Sequence, residues 1–131
     1  MKSKGIILLY NLSQARERQI LPICTEFGIR VRKVGPSEYG EKIGALAGRP
    51  GFVLSGGSYD GGTFDDEMLV MDGFSRSLLD DFLGGFRKYR IAPVALKAVV
   101  TDHNSEWDSF TLHEEISKEH EAMKNYKNTA Q

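Results

Sequence analysis

The sequence predicts an α/β fold, a small four-stranded, mainly parallel sheet built from two βαβ-like halves and closed by a C-terminal helix. Three observations predict it. The first is a pattern that occurs twice, 62 residues apart, over residues 8–29 and 70–91: an apolar run, a small polar turn ending in Ser, then an amphipathic stretch closing on an aromatic and an Ile. Leu12 and Ser13 answer Phe74 and Ser75, Ile20 and Leu21 answer Phe82 and Leu83, and Phe27 and Ile29 answer Tyr89 and Ile91. Only Ser13/Ser75, Leu21/Leu83 and Ile29/Ile91 are identities, so architecture repeats more than letters do. The second observation is the order strand, helix, strand in both halves, which fits a sheet covered on both faces. The third is the long connector over residues 35–64, since hairpin-joined strands need only a few residues and a crossover needs many. The expected strand order is two-one-three-four. A ferredoxin-like α+β sandwich, in which two split βαβ units build an antiparallel sheet about a pseudo-twofold axis, is the alternative.

Residues 5–10 form a continuous apolar run of strand length, and Asn11, Leu12 and Ser13 read as a turn into a helix capped by Ser13. Leu12, Ala15, Ile20, Ile23, Cys24 and Phe27 approximate a helical period, although Pro22 removes a backbone donor and should kink or shorten that helix, and Gly28 stops it. Residues 29–34 alternate apolar and basic side chains, as a strand at a sheet edge does. A short helix is expected within 37–48, weakened by Gly40, Gly44 and Gly48. Residues 49–63 hold five glycines in fifteen positions and read as a mobile connector or lid.

The second half opens with the apolar run Met68, Leu69, Val70 and Met71, then turns at Asp72, Gly73, Phe74 and Ser75 into a helix with Leu78, Leu79, Phe82, Leu83 and Phe86 on one face. Gly84 and Gly85 inside that helix imply either a close neighbour or an early end. Residues 93–100 carry the strongest strand signal, dense enough in apolar side chains for burial on both faces. A final helix begins between Ser105 and Thr111, where Thr111 and Glu114 match a capping box, and Leu112, Ile116 and Met123 form its stripe. One domain over residues 1–126 and a disordered tail over 127–131 are expected of a chain of 131 residues.

Hydrophobic residues make up 40% and charged residues 27%, which is globular, and no apolar run approaches the length that spans a bilayer. Seventeen basic against eighteen acidic residues leave a charge of −1 and no basic stripe, so neither nucleic acid nor membrane is an expected partner. The 49–63 loop lacks the Lys-Ser/Thr pair and the G-x-G-x-x-G of phosphate loops. A single cysteine, Cys24, and the lack of a signal segment point to the cytoplasm, with Cys24 acting as a small core hydrophobe.

A parallel sheet gathers ligands beyond the carboxyl ends of its strands. The ligand-binding candidates are therefore Asn11 and Ser13 after strand one, Asp72 and Ser75 after strand three, and Thr101, His103 and Asn104 after strand four, beside Asp102. Helices starting near Ser13 and Ser75 would aim free N–H groups at the same rim, which suits an anion, although both serines can simply be caps. Lys97 interrupts an apolar strand and must reach the surface, pair with a carboxylate such as Asp72, or shift its pKa. His113 and His120 stand seven apart on one helix face, too far along the axis to share an ion easily, so no metal site and no cofactor are expected, and both histidines are read as partly buried and hydrogen-bonded.

Within residues 67–124, the runs Met68 to Met71, Gly73 to Ser75, Leu78-Leu79 and Val94 to Val99, with Thr101, Asn104, Trp107, Glu114-Glu115 and Glu119 to Met123, resemble a small bacterial family known only as domain of unknown function 3783. The resemblance covers a little under half the chain. It implies a bacterial cytoplasmic protein and brings no assigned activity and no catalytic residues. Asp72 stands where that motif usually has a small residue. The functional expectation is a non-enzymatic binding or regulatory module for a protein partner or a small anionic ligand, in a monomer or weak homodimer. The alternative is a small hydrolase or transferase using Asp72, Lys97, His103 and Asn104 under the 49–63 lid.

Overall fold

The computed structural model describes the backbone of residues 5–129 and the side chains of residues 5–125. Its elements run β1 (Ile6–Tyr10), α1 (Gln14–Glu26), β2 (Arg30–Val34), a 3-10 turn (Pro36–Glu38), α2 (Ile43–Leu46), β3 (Met68–Asp72), α3 (Arg76–Lys88), β4 (Leu96–Val99), a second 3-10 turn (Asn104–Glu106) and α4 (Ser109–Thr129). The strands form one sheet in the order β2-β1-β3-β4. β1 pairs with β2 and β3 with β4 in parallel, which gives a mostly parallel α/β sheet, and β1 meets β3 antiparallel.

That central antiparallel joint corrects the expectation of a single rim shared by strands one, three and four. Ile6 pairs with Asp72 and Tyr10 with Met68, so the two strands end at opposite edges of the sheet. The long connector explains how. β2 ends level with Tyr10, and β3 starts level with Tyr10 too. The chain between them travels out and back across one face. Tyr39 and Phe64 lie beside Asn11, whereas Arg49, between them in sequence, reaches Asp72 at the far end. Its length covers a face of the sheet and does not carry the chain to a parallel strand.

The two halves match closely in backbone. Ser13 and Ser75 cap α1 and α3, each accepting from the N–H three residues on, with φ and ψ of −69° and 165° against −70° and 164°. Both helices have 13 residues, so Pro22 does not shorten α1. Both end in the same left-handed cap: Ile29 N–H bonds Cys24 O at 2.9 Å and Ile91 N–H bonds Phe86 O at 2.7 Å, with Gly28 at φ 68° and Arg90 at φ 57° between helix and strand. Asn11 and Gly73, also equivalent, both take positive φ.

Alternation sorts the core onto two faces. Ile7, Leu9, Leu69 and Met71 face α1 and α3, meeting Ile20, Ile23, Leu78, Phe82 and Phe86. α3 continues through Gly84 and Gly85 because α1 packs against it there: a Cβ on Gly85 would lie 2.9 Å from Ile23 Cγ2. Ile6, Leu8, Tyr10, Met68 and Val70 face the other way, toward Tyr39, Ile43, Leu46, Phe64 and Leu112. There the 49–63 segment has no regular secondary structure and is tied down by side chains: Glu41 accepts from Ser55 N–H at 2.7 Å and Gly56 N–H at 3.0 Å, and Tyr59 packs on Tyr39. The expected helix within 37–48 is reduced to the 3-10 turn and the four residues of α2.

Two boundaries also shift. The strand expected over 93–100 narrows to Leu96–Val99 and is an edge strand, with Val99 44% exposed instead of buried on both faces. α4 is capped by Asp108, not Thr111: Asp108 Oδ1 accepts from Thr111 N–H at 2.8 Å, while Ser109 N–H bonds Tyr39 O. α4 continues to Thr129, into the segment read as a tail, whose residues 130 and 131 lie outside the described ones.

Candidate functional site

Seven of the eight candidate residues fall into two groups at opposite ends of the strands, separated by about 13 Å of strand length, and Lys97 lies within β4. At one end, Asn11 donates from Nδ2 to Phe64 O at 2.9 Å and Asp66 O at 3.0 Å, and Ser13 is occupied by its helix cap. At the other end, Ser75 likewise caps α3. Asp72, only 13% exposed, is held by a two-pronged ion pair from Arg49, Nε to Oδ2 at 3.0 Å and Nη2 to Oδ1 at 3.1 Å. Arg49 also reaches Asp102 at 3.0 Å. Aspartate and serines are thus committed to holding loops and helix ends.

Asp72 and Lys97 do not converge. Lys97 stands beside Leu69 in the β3–β4 register, three residues short of Asp72, and alternation puts the two side chains on opposite faces of the sheet. The constellation that the hydrolase or transferase alternative requires is therefore not assembled. Asn104 is structural as well: its Oδ1 accepts from Thr101 N–H at 2.8 Å, Thr101 Oγ1 accepts from Asn104 N–H at 3.1 Å, and its Nδ2 donates to Val99 O at 3.1 Å.

What the structure does bring together is Lys97, Thr101, His103 and Asn104, along one groove of about 380 Å³ between the free edge of β4 and α4. Trp107 lies in it, edge-on to His103 with centroids 5.2 Å apart. Leu112 and Ile116 from α4 and Ala98 from β4 supply apolar surface, and Glu115 and Glu119, one helical turn apart, supply charge. Trp107, Glu115 and Glu119 stood in the sequence only as part of the family resemblance and not as ligand-binding candidates; the exposed acidic face of α4, read beside an edge strand, was the available signal.

The free edge has a definite chemistry. Val100 N–H bonds Met71 O at 2.8 Å, so alternate residues of β4 direct their backbone groups at β3, and Lys97 and Val99 direct theirs outward. Asn104 takes the outward carbonyl of Val99 and so marks one end of the open edge. The Lys97 amine, half-buried, donates to Val94 O at 2.6 Å, and burial lowers its pKa from the usual lysine value.

A second cleft, of about 400 Å³, lies at the other end of β4 and includes Asp66, Glu67, Ser117, His120 and Glu121. Its acids are partly spoken for, Glu67 by a bidentate pair with Arg16 and Asp66 by His113 Nε2 at 2.9 Å. His113 is buried and stacks on Phe64 at 3.9 Å, and Phe64 stacks on Tyr39 at 4.5 Å, which fastens the connector to α4. Burial pushes the Cys24 thiol up to about 11, which suits a core residue and not a nucleophile. Among the described residues no group of three or more metal-ligating side chains comes together, and no helix is long and apolar enough to cross a membrane.

No curated protein and no solved structure matches the chain. Residues 67–123 match the family model described as Domain of unknown function (DUF3783), a stretch that begins at β3, takes in α3 and β4, and ends within α4, so that it contains every residue of the β4 groove.

Proposed function

We propose that the chain is a non-enzymatic binding module that takes an extended segment of a protein partner along the free edge of β4. The observation that carries this reading is the coincidence, in one groove, of outward backbone groups on Lys97 and Val99 with the apolar surface of Ala98, Trp107, Leu112 and Ile116. An added strand gains main-chain hydrogen bonds from the edge and specificity from pockets for alternate side chains. Glu115 and Glu119 on the groove wall favour a segment carrying Lys or Arg beside its apolar positions. A small anion is the weaker reading, because Ser13, Ser75 and Arg49 are already committed and the groove itself carries two carboxylates. A bacterial cytoplasm, with the protein as monomer or weak homodimer and without nucleic acid, goes with this reading on the family resemblance and the lone Cys24.

The test is an array of eight-residue extended peptides, alternating apolar with either basic or acidic residues, probed with wild type, Val99→Pro and the double variant Glu115→Lys/Glu119→Lys. Proline at 99 removes an outward N–H and leaves the β3 ladder intact, a substitution edge strands tolerate. Basic peptides should bind wild type, lose affinity by about tenfold or more in Val99→Pro, and give way to acidic peptides in the charge-reversed variant. Binding that ignores all three substitutions, or no peptide binding at all, refutes the proposal.

A further inference from the structure

We propose that Lys97 is a covalent acceptor for small apolar aldehydes, which it captures as an imine in a pocket on the α3 side of β4. This pocket shares Lys97 with the peptide groove and otherwise has its own walls. It has a volume of about 160 Å³ and is walled by Leu83 and Phe86 of α3 and by Pro93 and Val94 of the turn before β4, with Lys97 as its only ionisable group among the described residues. The pocket is open to solvent on one side, so its apolar walls enclose part of a small ligand. The fitting ligand therefore has roughly four to six carbons, no charge, and one electrophilic carbon.

The amine is placed for this chemistry. Among the described residues it donates to a neutral carbonyl, Val94 O at 2.6 Å, and joins none of the ion pairs. His103, Glu115 and Glu119, the titratable groups that share the groove lining with Lys97, are not bonded to its amine. With apolar walls and no ion pair among the described residues, burial lowers the pKa of the amine and so raises the share of the neutral form, the one with a nucleophilic lone pair. The four residues 92–95, which lengthen the second half relative to the first, build half of the pocket: β1 meets β2 at an offset of 24 residues and β3 meets β4 at 28. The first half lacks such a turn, and the residue that corresponds to Lys97 there is Val31, paired with Ile7 as Lys97 is with Leu69.

In the reaction the Lys97 Nζ lone pair attacks the aldehyde carbon, and the C=O electron pair moves to oxygen, which takes a proton from the nitrogen. The resulting carbinolamine then loses its hydroxyl as water, with a proton from solvent at the open mouth, while a C=N bond forms and nitrogen releases its remaining proton. One aldehyde is consumed and one water is released, with no change in oxidation state.

The probe is 3-methylbutanal with cyanoborohydride at neutral pH, which reduces any imine to a stable secondary amine, followed by peptide mass mapping. Lys97 should be alkylated at an initial rate at least about fivefold above the exposed Lys42 and Lys118. Lys97→Arg should remove that modification while circular dichroism stays unchanged. Leu83→Asn, which makes the pocket polar, should abolish the preference for 3-methylbutanal and leave reaction with formaldehyde, which needs no apolar pocket. Alkylation of Lys97 no faster than Lys42 and Lys118, or a preference that survives Leu83→Asn, overturns the proposal. Peptide binding by Lys97→Arg reports on the groove separately.

Discussion

Leu8 pairs with Val70 at the centre of the sheet, and the two are separated by 62 residues, the same offset that relates the two halves of the sequence. A residue that pairs with its own counterpart lies on the axis that relates the halves. The pseudo-twofold axis therefore passes through the Leu8–Val70 pair perpendicular to the sheet. It places α1 and α3 on one face and sends the loops after β1 and β3 to opposite ends. The duplication thus yields two rims, each with one helix start, and the connector and α4 cover the face the helices leave open.

The neighbouring glycines of α3 should respond oppositely to alanine. Gly84 has open space where a Cβ would project, so Gly84→Ala should stabilise by about 0.5 to 1 kcal/mol through helix propensity and reduced freedom of the unfolded chain. Gly85→Ala places its methyl 2.9 Å from Ile23 Cγ2 and should destabilise by about 1 to 3 kcal/mol. Urea unfolding of the two variants measures both, and equal effects would contradict the α1–α3 packing.

Equivalent helix caps should also diverge. Arg90 sits at φ 57° where the first half has Gly28 at φ 68°. Arg90→Gly relieves a left-handed conformation that costs a side-chain-bearing residue about 1 kcal/mol, offset in part by the greater freedom of unfolded glycine. A small gain in midpoint is expected from Arg90→Gly and a loss of about 1 kcal/mol from Gly28→Ala, read by thermal or urea unfolding.

Glu41 should make the 49–63 segment sensitive to acid. Its carboxylate is held below the usual carboxylate range, chiefly by the hydrogen bond from Ser55 N–H against the opposing effect of burial. A pKa lowered by folding means that the ionised form is the one the fold favours, so its contribution is complete above the ordinary glutamate value. It falls away as pH drops through the lower, folded value. Hydrogen exchange at Ser55 and Gly56 should show protection at neutral pH that declines with acid over that window, and Glu41→Gln should lose it at every pH. Protection that does not change between neutral and acid pH would contradict the assignment.

Element identity and strand order were legible because apolar runs, Ser caps and the Ile after each helix are local signals. Direction was not. Nothing in the pattern of residues 6–10 or 68–72 says which way β3 lies beside β1, and the length of the connector was equally compatible with crossing the sheet or with covering it. What decides the matter is tertiary: Tyr39 and Phe64 pack on Tyr10 while Arg49 bonds Asp72 at the other end. The same limit governs the site. Lys97 inside an apolar run was a visible anomaly and does lie at the groove, together with Thr101, His103 and Asn104. Asn11, Ser13, Asp72 and Ser75 were chosen for a shared rim that the antiparallel joint divides, and their side chains have structural partners that sequence spacing does not disclose.

The most direct measurement is amide chemical-shift mapping of the isotope-labelled protein, titrated with the tightest basic–apolar peptide from the array, together with nuclear Overhauser contacts from the peptide. Strand addition predicts shifts concentrated at Lys97, Ala98, Val99, Trp107 and Ile116, with cross-strand contacts from the peptide backbone to Lys97 and Val99. Shifts confined to the Asp66, His120 and Glu121 cleft, with β4 unmoved, would contradict it.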